Sequence, residues 1–398
     1  MGAFEVLQSR GYVQQCTHPE ELREALNAGP VTFYVGFDAT ASSLHVGSMF
    51  PLMVMANLQR LGHKVIALVG GGTTRVGDPS GKTELRQMLS DEQIAENSAG
   101  LREQISRFLV LDGERGVMVD NADWLLELKY IPFLRDIGRQ FSVNRMLAAE
   151  AYKQRLERGL SFIEFNYQIL QAYDFLELFR RHGCRLQIGG DDQWGNIVAG
   201  VDLVRRMEGV EVWGLTHPLL TTSAGAKMGK SAAGAVWIDA ARTSPFDLWQ
   251  YWYNVDDRDV VRWLNLYTFL PDHEIAGLGA LRGADLRDAK RVLATAVTTI
   301  VHGAEAAAAA EAGARAMVGA VAAEDLPTTP LSEPTRLSVA LELAGLAKSR
   351  SEARRLVAQG GVTIDGERVD DPEHTIDPAA SVVVRVGKKR ATRFVPAG

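Results

Sequence analysis

The chain has few cysteines and no long apolar segment. Cys16 and Cys184 are its only cysteines. Because they lie far apart and lack metal-ligand spacing, neither a disulfide scaffold nor a zinc site is predicted. No apolar run reaches the roughly 18 to 20 residues that cross a bilayer, which argues against a membrane partner. The opening residues, MGAFEVLQSRGY, show no basic-then-apolar signal pattern, and we therefore expect a cytoplasmic protein.

Negative charge exceeds positive charge over the 398 residues, but the two signs are unevenly spread. The net charge is −6, which taken alone argues against nucleic acid binding. Residues 335–398 carry eleven Lys or Arg against eight Asp or Glu, a net charge of +3 that leaves −9 for residues 1–334. A small basic module on an acidic body is typical of an RNA-binding appendage, although a solvated surface explains the charge equally well.

The spacing of apolar residues predicts an α/β fold with a parallel sheet. Buried strands are predicted at Val31–Asp38, His63–Gly72 and Arg185–Ile188. Between the first two, SMFPLMVMANLQRLG has helical spacing and ends at Gly62, which completes a βαβ unit. Ligands bind beyond the carboxyl ends of such strands. Those ends are predicted at Gly36–Asp38, Gly70–Gly72 and Gly189–Gln193.

The rest of the chain predicts more helix, a linker and a small C-terminal domain. Ser244 is a candidate N-cap with Pro245 at the first helical position. The three prolines of EDLPTTPLSEPT predict a linker, and the residues after it read as a helical pair followed by short strands. The predicted organisation is a sheet domain at 1–225 with a helical insert at about 112–181, a helical domain at 226–323, a linker at 324–335 and a C-terminal domain at 336–398.

The motif GDPSGKT is not a P-loop. That motif needs a glycine five residues before its Gly-Lys pair, and Val76 occupies the position. No apolar strand runs directly into the segment either. It still places Asp78, Lys82 and Arg86 on a glycine-rich loop that could close over phosphates.

Two other motifs are weak alone and strong together. HVGS (His45–Ser48) stands at a helix start, where free N–H groups bind anions, although ordinary capping alone explains it better. KMGKS (Lys227–Ser231) is either a solvated loop or a clamp on transferring phosphates. The two motifs stand in this order, about 180 residues apart, and together they resemble the signature of class I aminoacyl-tRNA synthetases.

Three further segments resemble one branch of that family. Tyr167, Gln171 and Asp174 share one helical face because they lie at i, i+4 and i+7. Together with YVGFD (Tyr34–Asp38) and QIGGDDQWGN (Gln187–Asn196), they resemble tyrosyl-tRNA synthetases of the bacterial type over nearly the whole chain. The resemblance implies ATP-dependent attachment of L-tyrosine to tRNA(Tyr), through tyrosyl-adenylate and with release of pyrophosphate. It also implies a Rossmann-like catalytic domain, an α-helical anticodon-side domain and a small α+β RNA-binding domain.

The resemblance also assigns site residues. The implied catalytic residues are His45, Lys82, Arg86, Lys227 and Lys230. The implied tyrosine contacts are Tyr34 and Asp174 at the hydroxyl, Asp78, Tyr167 and Gln171 at the ammonium group, and Gln193 at the carboxylate. The implied ATP contacts are Gly36, Asp38, Thr40, His45, Gly47, Ser48, Gly190, Asp192 and Lys230. Ser48 stands where the family pattern often has a second histidine.

The implied partners complete the prediction. ATP would bring Mg²⁺ as a substrate complex, with no permanent cofactor and no metal site of the protein's own. LAKSRSEARRLVAQGGVTIDGERV resembles the alpha-L RNA-binding fold. Its implied RNA contacts are Lys348, Arg350, Arg354 and Arg355. The family is a homodimer joined through the helical insert, near Trp124–Phe133 here. Two alternatives stay open: a tryptophanyl-type synthetase or other nucleotidyltransferase, and a non-catalytic RNA-binding or splicing protein that keeps the fold.

Overall fold

A computed structural model describes residues 2–80, 89–148, 152, 156, 159–223, 225, 228–231, 234–318, 326–377, 381–387 and 390–396. The chain divides into two compact units, Met1–Ala307 and Ala308–Gly398. Each unit contains its own β-sheet. The predicted boundary between a sheet domain and a helical domain near residue 225 lies inside the first unit and stays a prediction.

The first unit is built on a six-stranded sheet. Its strands are β1 (Gln15–Cys16), β2 (Thr32–Phe37), β3 (Lys64–Val69), β4 (Gly116–Asp120), β5 (Leu186–Gly190) and β6 (Trp213–His217). They lie in the order β1-β6-β5-β2-β3-β4. β2 to β6 pair in parallel, whereas β1 pairs antiparallel with β6. The predicted strands at 31–38, 63–72 and 185–188 are confirmed as β2, β3 and β5.

The strand order places a crevice at the centre of this sheet. β2 pairs with β3 on one side and with β5 on the other. The chain therefore builds outward from β2 to β4, returns to the middle, and builds outward again from β5 to β6. Ligands in parallel α/β sheets bind where the direction reverses, outside the carboxyl ends of the strands. Here those ends are Phe37 and Gly190.

Helices connect the strands of the first unit. Before the insert these are α1 (Ala3–Ser9), α2 (Pro19–Ala28), α3 (Val46–Arg60) and α4 (Asp91–Ile105). The insert and the second half of the sheet contribute α5 (Ala122–Leu125), α6 (Tyr130–Asp136), α7 (Val143–Leu147), α8 (Phe162–His182) and α9 (Trp194–Glu208). Ser161 and Glu164 form a capping box at the start of α8, and Gly183 ends it with a φ of 63°, a left-handed conformation that favours glycine.

The end of the first unit is helical, as predicted. A two-stranded ribbon of β7 (Lys230–Ser231) and β8 (Gly234–Ala235) precedes it. The helices that follow are α10 (Pro245–Tyr253), α11 (Val260–Tyr267), α12 (Asp272–Gly279), α13 (Leu286–His302) and α14 (Ala304–Val318), the last of which continues into the second unit. Ser244 caps α10 and Pro245 is its first residue, which confirms that prediction. None of the helices in the described ranges is both long and apolar enough to cross a bilayer.

The predicted helical insert at about 112–181 is wrong in its first part. Residues 116–120 form β4, which pairs in parallel with β3. β4 is an edge strand and four of its five residues are only partly buried. The strand therefore lacks the continuous apolar run by which buried parallel strands are recognised.

The second unit packs two helices against short strands. Its helices are α15 (Leu337–Leu343) and α16 (Arg350–Ala358). Its strands are β9 (Thr328–Leu331), β10 (Thr335–Arg336), β11 (Val362–Ile364), β12 (Glu367–Arg368), β13 (Thr375–Ile376), β14 (Val382–Val386) and β15 (Arg390–Pro396). A five-stranded sheet has the order β12-β11-β14-β15-β9, and β10 pairs with β13. Leu341, Val357 and Phe394 lie in its apolar core.

Part of the predicted linker at 324–335 is strand. β9 pairs in parallel with β15, so that Thr329 lies opposite Phe394. β9 is at the edge of its sheet, where a proline such as Pro330 is tolerated because one side of the strand needs no ladder hydrogen bond. The prolines therefore predicted a linker where the chain forms an edge strand.

Candidate active site

A cavity of about 500 Å³ opens at the carboxyl ends of β2 and β5. The predicted tyrosine and ATP contacts that line it are Tyr34, Gly36, Asp38, Thr40, His45, Gly47, Ser48, Asp78, Tyr167, Gln171, Asp174, Gly190, Asp192 and Gln193. Of the predicted cations, Lys82, Arg86 and Lys227 lie outside the described residues, and for Lys230 only the backbone is described. The fold thus brings together residues that are up to about 160 positions apart in the sequence.

Asp174 is a buried carboxyl group in the wall of this cavity. Its side chain accepts hydrogen bonds from Trp124 Nε1 at 2.8 Å and Asn121 Nδ2 at 2.9 Å. Only 2% of the residue is exposed. Burial raises the pKa of Asp174 to about 8, a shift that the two hydrogen bonds oppose and that the nearby Asp38 increases. At neutral pH this carboxyl group is therefore mostly protonated, and it can donate as well as accept a hydrogen bond.

Tyr34 presents a hydroxyl group to the same cavity. The residue is 1% exposed, and its hydroxyl has no hydrogen-bond partner among the described residues. Burial raises the pKa of Tyr34 well above its usual range, so the group stays protonated. An unpaired buried hydroxyl costs about 1 to 3 kcal/mol. A ligand with a hydroxyl group would supply the missing partner.

Another part of the cavity is rich in hydrogen-bond acceptors. Tyr167 Oη donates to Asp38 Oδ2 at 3.1 Å, and Gln193 Nε2 donates to Asp78 Oδ2 at 2.8 Å. Gln171 Oε1 accepts from Asn196 Nδ2 at 2.9 Å. Carboxylate and amide oxygens favour a cationic group such as an ammonium. Among the described residues, no group of three or more His, Cys, Asp or Glu side chains is placed to hold a metal ion.

His45 begins helix α3 at the edge of the cavity. Its Nδ1 accepts a hydrogen bond from the backbone N–H of Ser48 at 3.2 Å, which makes His45 the N-cap. In a neutral imidazole the hydrogen then resides on Nε2, which can donate to an anion. Ser48 Oγ lies 3.4 Å from both ring nitrogens of His45. The serine is thus placed against the histidine ring instead of adding a second imidazole.

The structure adds residues in or behind the cavity wall that the sequence did not name as ligand contacts. Asn121 and Trp124 hold Asp174, and Asn196 holds Gln171. Further residues of this kind in the cavity lining are Thr73, Gln187, His217 and Trp237. Asn121 directly follows β4, so recognition of that strand would have found it by the same rule that found the other strand ends. Nothing in the sequence indicates Trp237, whose backbone pairs with His45.

The predicted RNA contacts lie on or just before α16 in the second unit. Ala353 and Val357 face the core of this unit, and the basic residues are exposed on the helix. Arg350 pairs with Glu342 at 2.9 Å and Arg354 with Glu373 at 3.2 Å. Among the described residues, Lys348 and Arg355 make no ion pair. Their charges are therefore available to phosphate groups.

Comparison with known proteins agrees with this geometry. The sequence matches the family described as tRNA synthetases class I (W and Y) over residues 26–319, and the S4 domain over residues 335–382. A tyrosine--tRNA ligase of Desulfosudis oleivorans is 50% identical over 423 residues, which cover 98% of this chain and 98% of the relative. A tyrosine--tRNA ligase of Clostridium tetani is 49% identical over 400 residues, again with 98% of both chains covered.

A solved structure shows the same fold. A C-terminally truncated mitochondrial tyrosyl-tRNA synthetase of Aspergillus nidulans superposes with a TM-score of 0.71 and 31% sequence identity. The superposition covers 79% of this chain and 93% of the fungal chain. The likeness therefore extends from the sequence to the arrangement of strands and helices.

Proposed function

The chain belongs to the class I tRNA synthetases for tryptophan and tyrosine, and from this membership we propose how its residues perform the reaction. It is of the bacterial tyrosyl type and attaches tyrosine to tRNA in two steps, through tyrosyl-adenylate and with release of pyrophosphate. The observation that supports the residue roles is the single cavity lined by both sets of predicted contacts. The tryptophanyl and non-catalytic alternatives are not retained.

The tyrosine side chain would lie between Tyr34 and Asp174. Its hydroxyl would pair with the Tyr34 hydroxyl, which has no partner among the described residues, and with the buried carboxyl of Asp174. Phenylalanine would leave the Tyr34 hydroxyl unpaired in a dry site and would give Asp174 no partner beyond Asn121 and Trp124. For tyrosyl-tRNA synthetases this discrimination is known to be about 10⁵-fold, a value of the family and not one obtained from this structure. The ammonium group would bind to the acceptor-rich region of Asp78, Tyr167 and Gln171.

The first step depends on positioning and charge. The tyrosine carboxylate is already a nucleophile, so it attacks the α-phosphorus of ATP without a general base, and the bond to pyrophosphate breaks. Gln193 would orient the carboxylate. The start of α3 would attract the phosphates through its helix dipole and the Nε2 hydrogen of His45. The other proposed ATP contacts are Gly36, Asp38, Thr40, Gly47 and Ser48, with Gly190 and Asp192 at the ribose.

The cations complete the site. Lys82, Arg86, Lys227 and Lys230 are proposed to surround the leaving pyrophosphate, where their charge stabilises the transition state. ATP would arrive with Mg²⁺ as a substrate complex. In the second step, a terminal hydroxyl of the tRNA attacks the tyrosyl carbonyl and AMP leaves.

The second substrate would be bound by several parts of the chain. Lys348, Arg350, Arg354 and Arg355 on or near α16 would contact phosphates of tRNA(Tyr). Residues 226–323 would form the anticodon-side domain, and residues 1–225 the catalytic domain. We propose that the enzyme is cytoplasmic, because protein synthesis there consumes the aminoacylated tRNA that it makes.

We propose that the enzyme is a homodimer joined through the insert. The apolar surface of the insert near Trp124–Phe133 consists of Leu126, Tyr130, Ile131 and Leu134, which are 57%, 59%, 70% and 38% exposed. No residue of α6 is buried in the isolated chain. Trp124, at one end of the segment singled out by the sequence, instead lies inside and binds Asp174.

The decisive experiment is ATP–pyrophosphate exchange with tyrosine, tryptophan and phenylalanine. We expect exchange with tyrosine alone, because only tyrosine satisfies both Tyr34 and Asp174. The variant Lys230→Ala should lose most of this exchange, since a cation near the leaving group is removed. Exchange with tryptophan would contradict the tyrosine pocket, and full activity of Lys230→Ala would contradict the role of that lysine.

A further inference from the structure

The middle of the KMGKS motif lies directly against the start of α3. A Cβ atom added to Gly47 would lie 3.0 Å from the Met228 carbonyl oxygen, and one added to Gly229 would lie 2.8 Å from the Gly47 nitrogen. Gly229 also has a φ of 84°, which favours glycine. Backbone hydrogen bonds at Val236 extend this contact. The Val236 N–H donates to the Gly229 carbonyl oxygen, and the Val236 carbonyl oxygen accepts from the Val46 N–H. The two signature elements therefore touch through glycine backbone, with no space for side chains.

Tyr251 of helix α10 reaches the motif from the other side. Its hydroxyl accepts a hydrogen bond from the Gly229 N–H at 3.3 Å and donates one to Met228 Sδ at 3.4 Å. Tyr251 is half-buried, and burial raises the pKa of its hydroxyl above the usual range, so the group remains protonated and able to donate. One phenol group thus holds both residues that separate Lys227 from Lys230.

The chain before the motif is fastened to the same helical region. Asp259, which is 4% exposed, accepts a hydrogen bond from the Ser223 N–H at 2.9 Å. Arg262 of α11 donates to the Thr221 carbonyl oxygen at 2.9 Å. The helical region after the motif therefore contacts the chain at two places. It bonds to Thr221 and Ser223 before the motif, and through Tyr251 it bonds to Met228 and Gly229 within the motif.

We propose that Tyr251 is a positioning residue that fixes Met228 and Gly229, the two residues that separate Lys227 from Lys230 in the motif. This role rests on the proposed function of the two lysines at the leaving pyrophosphate. Tyr251 does not line the cavity that is proposed to bind tyrosine and ATP. Its effect should therefore appear in the step that transfers the adenylyl group and not in the binding of tyrosine.

The test is Tyr251→Phe, which removes only the hydroxyl, in the full-length enzyme. We expect kcat for ATP–pyrophosphate exchange to fall about three- to tenfold, the effect of one lost hydrogen bond. The KM for tyrosine should stay within about twofold. The control is Tyr253→Phe on the same helix, because Tyr253 stacks on Trp249 and makes no hydrogen bond to the described residues of the motif. This control should behave as the wild type.

A double variant tests the connection to the motif. Met228→Leu removes the sulfur acceptor at similar volume, so adding it to Tyr251→Phe should lower kcat less than the product of the two single effects. Unchanged kcat in Tyr251→Phe, multiplying effects in the double variant, or a tyrosine KM that rises as much as kcat falls would each overturn the proposal. Full activity of Lys230→Ala would contradict the proposed role of the lysines, whatever Tyr251→Phe does. Loss of activity in Lys230→Ala together with unchanged kcat in Tyr251→Phe would contradict only the role of Tyr251.

Discussion

At the scale of the residue, burial changes what a side chain can do. The sequence placed Asp174 and Tyr34 in one pocket through resemblance, and both line the cavity. It could not show that Asn121 and Trp124 hold Asp174, because those two residues lie 53 and 50 positions away in the chain, after an edge strand and on a short helix. Nor could it show a carboxyl pKa of about 8, since that shift arises from the exclusion of water.

The variant Asp174→Asn separates the use of tyrosine from the use of ATP. An amide offers one acceptor and one donor, so either Asn121 Nδ2 or Trp124 Nε1 would face an N–H group in a buried site. That mismatch costs about 1 to 3 kcal/mol, or roughly five- to 150-fold. We expect kcat/KM for tyrosine to fall by this factor while the KM for ATP stays within about twofold. Wild-type values for tyrosine would show that Asp174 lies outside the pocket.

The same variant has a second readout in the pH dependence of stability. The folded-state pKa of Asp174 is raised, so its contribution to stability is present at low pH and is lost as pH rises toward about 8. The free energy of unfolding of the ligand-free wild type should therefore decline relative to Asp174→Asn between about pH 5 and pH 8. The limiting slope is about 1.4 kcal/mol per pH unit. Parallel stability curves would mean that Asp174 is already ionised.

At the scale of the element, three of the four inner strands of the first unit's sheet were predicted, whereas the buried strand β6 and the edge strands β4 and β9 were not. β2, β3 and β5 lie inside the sheet and read as continuous apolar segments. β4 and β9 lie at sheet edges, where partial exposure or proline hides the strand pattern. α16 was predictable because Ala353 and Val357 repeat at helical spacing.

Arg355 of α16 provides a test at this scale. It is exposed, and among the described residues it makes no ion pair, so its charge is available to a phosphate of tRNA. Arg355→Ala should weaken tRNA binding about three- to tenfold. It should also reduce the slope of log binding constant against log salt concentration by about one. ATP–pyrophosphate exchange should not change. Gln359→Ala at the end of the same helix is the control, since it removes an uncharged side chain. Equal effects of the two variants would refute a phosphate contact.

At the scale of the whole molecule, function depends on residues that only the fold brings together. His45 follows β2, and Tyr167, Gln171 and Asp174 lie on α8. Gly190 and Asp192, the proposed ribose contacts, lie at the end of β5 and just after it. Resemblance could list these residues, but the sheet order explains why they meet, since β2 and β5 are neighbours across the point where the chain reverses. The same sheet ends in an edge strand, β4, from which the insert and its apolar surface project toward solvent.

That surface leads to a prediction about assembly. Ile131 is 70% exposed and shares helix α6 with the exposed side chains of Tyr130 and Leu134, and exposed apolar patches mark interaction sites. A charge placed there would be buried at the proposed interface without a partner, at a cost of several kcal/mol. Ile131→Glu should therefore shift sedimentation from dimer to monomer and raise the dimer dissociation constant at least about 100-fold. Leu343→Glu is the control, because Leu343 is 63% exposed in the second unit. A dimer that withstands Ile131→Glu would place the interface elsewhere.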